Sequence, residues 1–290
     1  MTTPGTLMPV GRRSAVALLV ASAAGVLAFA WPLVVSAESA FAQATLAPVV
    51  LAGVLAAVLV ILHLVLAEGG LDVKAVALLG LLSAVGAVLR PLSAGTAGIE
   101  LVFIVIVLGG RVVGPGFGFA LGSTTLFASA LLTGGAGPWL PYQMLAAAWV
   151  GLGAGLLPGR ARLRGRPEVG LLAGYAVVAA LGYGLVMNLA FWPFQLGSGT
   201  GLSFVAGDPV LTNLHRFLIY DLATSLGWDI GRAVTTATGV LVLGSPVLVA
   251  LRRTTATARF APSARPAADL PGDGASPLPG PGAEASFTSR

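Results

Sequence analysis

The sequence predicts an all-α fold, a polytopic membrane helix bundle, and three observations predict it. Hydrophobic residues make up 56% of the chain and charged residues 9%, against about 25% charged in an ordinary soluble domain. Apolar runs approaching the roughly 20 residues that cross a bilayer as a helix recur along the chain, about eight in number. Lys and Arg fall almost entirely on alternate connections between those runs. The runs are apolar on every side, whereas strands of a membrane barrel alternate apolar and polar over about ten residues, so helices are the spanning element.

The first run, residues 13–36, follows Arg12 and Arg13, and Ala40-Phe41-Ala42 beyond it has the small-residue character of a leader cleavage site. Its length and the second apolar run close behind it, residues 45–67, favour a retained helix. Lys74 opens the third run, residues 74–90, which Arg90-Pro91 closes. The fourth and fifth, residues 99–113 and 115–133, are joined by Gly114-Pro115-Gly116, a helix-to-helix turn that follows no strand and is no dinucleotide cradle. The sixth, residues 141–158, precedes a loop carrying Arg160, Arg162, Arg164 and Arg166. The seventh covers residues 169–192, and the eighth, residues 226–250, ends at Arg252 and Arg253. A single helix from Arg216 to Leu251 would be about 54 Å long against roughly 30 Å of hydrocarbon, which predicts a break, with Gly227 as its place. From Thr254 to Arg290 the chain turns to Pro, Ala, Gly and Ser, the composition of a disordered tail. The organisation is thus a helical pair and linker over residues 1–73, a six-helix core over 74–253 and a tail over 254–290.

With both termini in the cytoplasm, the positive-inside rule places Arg12, Arg13, Lys74, Arg111, the four loop arginines, Arg252 and Arg253 on that side of a cell membrane. Arg90, Arg216 and Arg232 are the cations outside that set. The net charge of +5 therefore reflects topology and implies no nucleic-acid partner. The chain has no cysteine, and its two histidines, His63 and His215, have no second ligand at helical spacing. No metal site, cofactor site, Walker motif or catalytic carboxylate pair is legible, which argues against an enzyme.

The polar and aromatic residues that remain fall on the side predicted to face outward. Candidate ligand-binding residues are Arg90 and Glu100 in the first outer loop, Trp139, Tyr142 and Gln143 in the second, and Asn188, Trp192, Asp221, Ser225 and Trp228 around the third. Asp229 and Arg232 form an i,i+3 pair that either neutralises two costly intramembrane charges or marks a functional site. Small residues recur four apart in Gly80 and Ala84, Ser83 and Ala87, Gly118 and Gly122, Gly151 and Gly155, and Gly170 and Gly174, as internal packing faces or docking faces.

The segment from Lys74 to Pro158, with Ala77-Leu-Leu-Gly-Leu-Leu-Ser-Ala84, the loop Arg90 to Glu100, Val113-Gly-Pro-Gly-Phe-Gly118 and Gly137-Pro-Trp-Leu-Pro-Tyr-Gln143, resembles the substrate-binding S component of energy-coupling factor transporters. The resemblance continues through Gly244-Ser-Pro-Val-Leu-Val-Ala-Leu-Arg252. It implies a six-helix bundle that captures a vitamin or vitamin precursor and works with a T component and two cytoplasmic ATPase subunits. It carries the T-component contact onto Gly80, Ser83, Ala84 and Ala87. The helical pair before the core departs from the family. Long, Gly-rich outer loops with few charges make cobalamin the first expected ligand. The alternative is a self-contained secondary transporter of a small organic solute, which would need coupling-ion residues near the midplane; these helices have almost none there.

Overall fold

The computed structural model describes residues 10–39, 47–68, 73–93, 97–159, 162–196 and 199–257. The described residues form ten helices: α1 (Arg12–Phe29), α2 (Trp31–Val34), α3 (Ala47–Glu68), α4 (Val73–Ser93), α5 (Val102–Val113), α6 (Pro115–Thr133), α7 (Leu140–Leu156), α8 (Arg166–Gln195), α9 (Val210–Thr224) and α10 (Leu226–Thr257). No strand occurs among them. Helices α1, α4, α6, α8 and α10 are long and apolar enough to cross a membrane. The chain is a polytopic bundle of membrane helices.

The fourth run departs from expectation. Helix α5 holds 12 residues, about 18 Å at 1.5 Å per residue, little more than half the hydrocarbon thickness. Residues 97–101 reach it as a non-helical connection instead of completing the span. Irregular backbone is tolerated at such depth only where protein or a cavity covers it, and here Gly98 and Gly231 let the loop and α10 meet backbone to backbone. A Cβ on Gly98 would lie 2.1 Å from the Trp228 carbonyl oxygen, and one on Gly231 would lie 2.0 Å from that of Ala97. Gly98 also holds φ +77°, a conformation glycine adopts at no steric cost.

At the centre, α5, α6 and α7 approach through glycine. A Cβ on Gly118 would meet the Gly151 carbonyl at 2.1 Å, one on Gly122 that of Ala147 at 2.2 Å, and one on Gly110 that of Gly151 at 2.3 Å. The Gly118/Gly122 and Gly151/Gly155 pairs are therefore internal packing, the gain being dispersion between backbones where lipid supplies no hydrophobic drive. The turn between α5 and α6 forms at Gly114, with φ +127° and Pro115 starting α6, the position where the missing proline N–H costs nothing. His63 is held by hydrogen bonds: Nδ1 lies 2.7 Å from the Leu59 carbonyl and Nε2 3.0 Å from the Ser123 hydroxyl.

Helices α1 and α3 pack on each other and on the α7 side of this centre. Phe29 meets Tyr142 edge-on at 5.2 Å, and Trp149 donates to the Ser22 hydroxyl at 3.0 Å. Beyond them, Trp31 of α2 donates to the Ala190 carbonyl at 3.0 Å. The break after Arg216 falls at Ser225, between α9 and α10, and not at Gly227. The Thr224 hydroxyl bonds back to the Tyr220 carbonyl and lies 3.2 Å from the Ser225 hydroxyl at this junction. At the far end α10 runs to Thr257, so Thr254 continues a helix where a tail was expected to begin. Residues 258–290, Arg160 and Ala40-Phe41-Ala42 lie outside the described residues.

Candidate functional site

Both ends of the bundle carry ions, and the two ends differ. At the end where α5 and α10 finish and α8 begins, fully buried Glu168 accepts from Arg111 Nε at 2.8 Å and from Arg252 Nη2 at 2.6 Å. Arg111 Nη1 also donates to the Leu157 and Pro158 carbonyls at 2.9 and 3.2 Å. One carboxylate thus gathers the ends of three helices and the loop after α7. Arg12, Lys74 and Arg162–Arg166 open or precede helices at this same end, which we call the basic end.

At the opposite end α10 begins with Asp229 and Arg232, both buried. Arg232 Nη1 donates to Asp229 Oδ1 at 2.5 Å, and Nη2 to Glu100 Oε1 at 3.1 Å. The guanidinium lies over the Tyr183 ring, 5.1 Å from its centroid. The expected i,i+3 pair forms and is extended by a third ion from the loop before α5. Gly184 makes the room: a Cβ there would stand 1.9 Å from Asp229 Oδ1.

Beside this cluster a cavity of about 270 Å³ opens, lined by Arg90, Gly98, Glu100, Ser129, Thr133 and Trp228 among others. Arg90 Nη2 donates to Gln143 Oε1 at 2.9 Å, tying α4 to α7 at its rim. The Ser129 hydroxyl is buried and has no hydrogen-bond partner among the described residues, a costly state for a hydroxyl. Thr133 satisfies itself on the Ser129 carbonyl at 2.9 Å. The cavity therefore offers a cation, a carboxylate, hydroxyls and the indole of Trp228. A second cavity of about 250 Å³, lined by Trp149, Tyr175, Gly182, Tyr183 and aliphatic residues, lies between α7 and α8.

Of the residues expected to bind a ligand, Arg90, Glu100 and Trp228 line this cavity and Gln143 supports it. Asn188 donates to Asp221 Oδ1 at 2.7 Å, a contact between α8 and α9. Tyr142 is 1% exposed and held between Phe29 and Phe191. Trp192 is fully buried among Phe204, Phe217 and Tyr220, with its indole N–H on the Leu202 carbonyl at 2.9 Å. These two aromatic residues pack the protein and do not line the cavity. Trp139 is 46% exposed, beside Gly137, and Ser225 closes α9. Ser129, Thr133, Gly98, Tyr183 and Arg232 were not among the expected site residues; of these only Arg232, as an intramembrane ion, announced itself.

The three cations set apart by charge are each accounted for. Arg90 holds Gln143, Arg232 holds Asp229 and Glu100, and Arg216 pairs with Asp208 at 2.7 Å. On α4, Gly80 and Ala84 stand on an exposed face. Ser83 and Ala87 are buried, Ser83 hydrogen-bonded to the Thr124 hydroxyl at 2.8 Å. Ser83 therefore faces α6 and Ala87 is packed inside, so two of the four expected docking residues are not on the open face.

Residues 74–249 match the family described as ECF transporter, substrate-specific component. No curated protein and no solved structure matches the chain. Because the match covers more than half of the chain, the chain belongs to the family of substrate-specific components of ECF transporters, transport subunits embedded in the membrane.

Proposed function

We propose that this subunit captures a small vitamin or vitamin precursor in the cavity beneath residues 97–101 and presents it for import. The observation that carries the reading is the buried Ser129 hydroxyl, left without a partner in a cavity that also holds Arg90, Glu100 and Trp228. Small-molecule sites combine apolar walls with a few oriented polar groups. The polar groups here include donors and an acceptor at one end of the bundle. The positive-inside rule, applied to the basic end, puts that cavity on the outer side and both termini in the cytoplasm.

Cobalamin, the ligand first expected from loop length, is far larger than about 270 Å³. Size therefore favours a ligand of one or two rings, with Trp228 as a stacking face and Glu100 and Ser129 at its polar edge. For transport, the T component docks on the Gly80 and Ala84 face of α4 and the two ATPase subunits act from the cytoplasm. Titration of purified protein by calorimetry with riboflavin, thiamin, biotin, niacin and cobalamin tests the ligand class. Binding by a small-ring vitamin, weakened by Ser129→Ala and by Trp228→Ala, is the expected result. Binding that neither substitution alters would remove the cavity from consideration.

A further inference from the structure

Arg12 and Arg13 take no part in either ion cluster, and they stand at the mouth of a cleft of about 810 Å³ between α1 and α3. Its floor is Ala17, Ala21 and Ala24, small residues one helical turn apart that leave it unfilled. Its walls are Val16, Val20, Val58 and Ile61, of which Val16, Val20 and Ile61 are more than half exposed. The cleft is therefore apolar along its length and cationic at one end.

Its dimensions select an occupant. From Arg12 to Ala24 the cleft follows α1 for about 18 Å, close to the roughly 15 Å of hydrocarbon in one leaflet. An apolar cleft of that length takes an alkyl chain, and the paired arginines at its mouth are the charge complement of an anionic headgroup. The arginines stand in the first turn of α1, where unpaired backbone N–H groups add to the attraction for an anion. They are also at the basic end, the level of a headgroup.

We propose that the α1/α3 cleft binds one anionic phospholipid, with its phosphate on Arg12 and Arg13 and an acyl chain along the alanine floor. This site lies on the helical pair outside the part of the chain matched to the transporter family. It gives that pair a role that needs neither the ligand cavity nor the α4 face.

Native mass spectrometry of the full-length protein, released from mixed micelles of phosphatidylglycerol and phosphatidylcholine, tests the proposal. Preferential retention of phosphatidylglycerol is expected, reduced about twenty-five-fold by Arg12→Gln with Arg13→Gln, at about fivefold for each arginine near a charged surface. Arg164→Gln, which removes a charge from the same end outside the cleft, should leave retention unchanged. Ala17→Phe should reduce retention of both lipids by filling the cleft; if that variant melts early, Val20→Asn, on an exposed wall position, takes its place. Excess inorganic phosphate should not displace the lipid, since the chain contributes to binding; displacement would reassign the arginines to a free anion. Equal retention of the two lipids, loss on Arg164→Gln as large as on the double change, or a dimer that occupies the cleft in place of lipid would each overturn the proposal.

Discussion

Replacing Glu168 by Ala tests whether the buried ion cluster at the basic end holds the helix ends together. Arg111 and Glu168 side chains are both 0% exposed, so deletion of the carboxylate strands a guanidinium that no solvent reaches. Removing one partner of such a pair costs about 3–5 kcal/mol, most of it the penalty of the charge left behind. Arg111 keeps its contacts to Leu157 and Pro158, which places the expected loss toward the lower part of that range. Glu168→Gln keeps an acceptor but loses charge assistance, for about 1.5–3 kcal/mol. Arg252 is 24% exposed, so its pair is partly screened and Arg252→Gln should cost about 1 kcal/mol or less. Combining Arg111→Met with Glu168→Leu should recover part of the loss, because a buried pair exchanged for apolar groups is often near neutral. Reversible denaturation in detergent, followed by tryptophan fluorescence, gives the ranking. Glu168→Ala within about 1 kcal/mol of the parent, or a double variant worse than the sum of the singles, would refute the reasoning.

Four further outcomes are expected. Gly98→Ala should displace residues 97–101 and weaken ligand binding tenfold or more, about 1.4 kcal/mol, as read by calorimetry on folded protein; unchanged affinity would free the loop of any role at the cavity. Ala84→Trp should abolish uptake with the partner subunits while purified protein still binds ligand, since a large side chain on an open small-residue face blocks a neighbouring helix; uptake at parent level would dismiss the α4 face. Trp192→Ala should destabilise the α8/α9 region by about 3–5 kcal/mol through the cavity it leaves, seen as faster amide exchange in residues 199–224 with little change near Arg111. In whole cells an impermeant thiol reagent should label Gly135→Cys and spare Gly165→Cys; the reverse pattern would invert the orientation.

Fold class was legible because membrane helices must satisfy every backbone group internally, so long apolar runs leave one option. Length misled at one place. Ile99 and Leu101 continue the apolar pattern of α5, and hydropathy does not register that Gly98 and Glu100 answer to Trp228 and Arg232 on a distant helix. The predicted break at Gly227 falls two residues beyond the observed one at Ser225, because length alone calls for an interruption without giving its position. At the site, sidedness found Arg90, Glu100 and Trp228, since charges and indoles near helix ends are few. It could not separate Tyr142 and Trp192 from ligand contacts, because an aromatic residue reads the same whether it faces a cavity or the packed interior. Ser129 and Thr133 went unseen for a related reason: serine and threonine inside membrane helices commonly bond to their own backbone, as Thr133 does, and only the structure shows that Ser129 does not.

Helices α8 and α10 are fastened at two levels, by Glu168 with Arg252 at the basic end and by Arg232, near the start of α10, against the Ala180 carbonyl and Tyr183 ring midway along α8. Two rivets so far apart make the pair a plank, unable to splay or to slide by a turn without breaking ions in a medium that cannot solvate them. A movement that admits a ligand is then expected to spare this pair and to fall on elements outside it, such as α9 and the outer helices α1 and α3. Cross-links placed on those outer helices, with α8 and α10 left untouched, test that division.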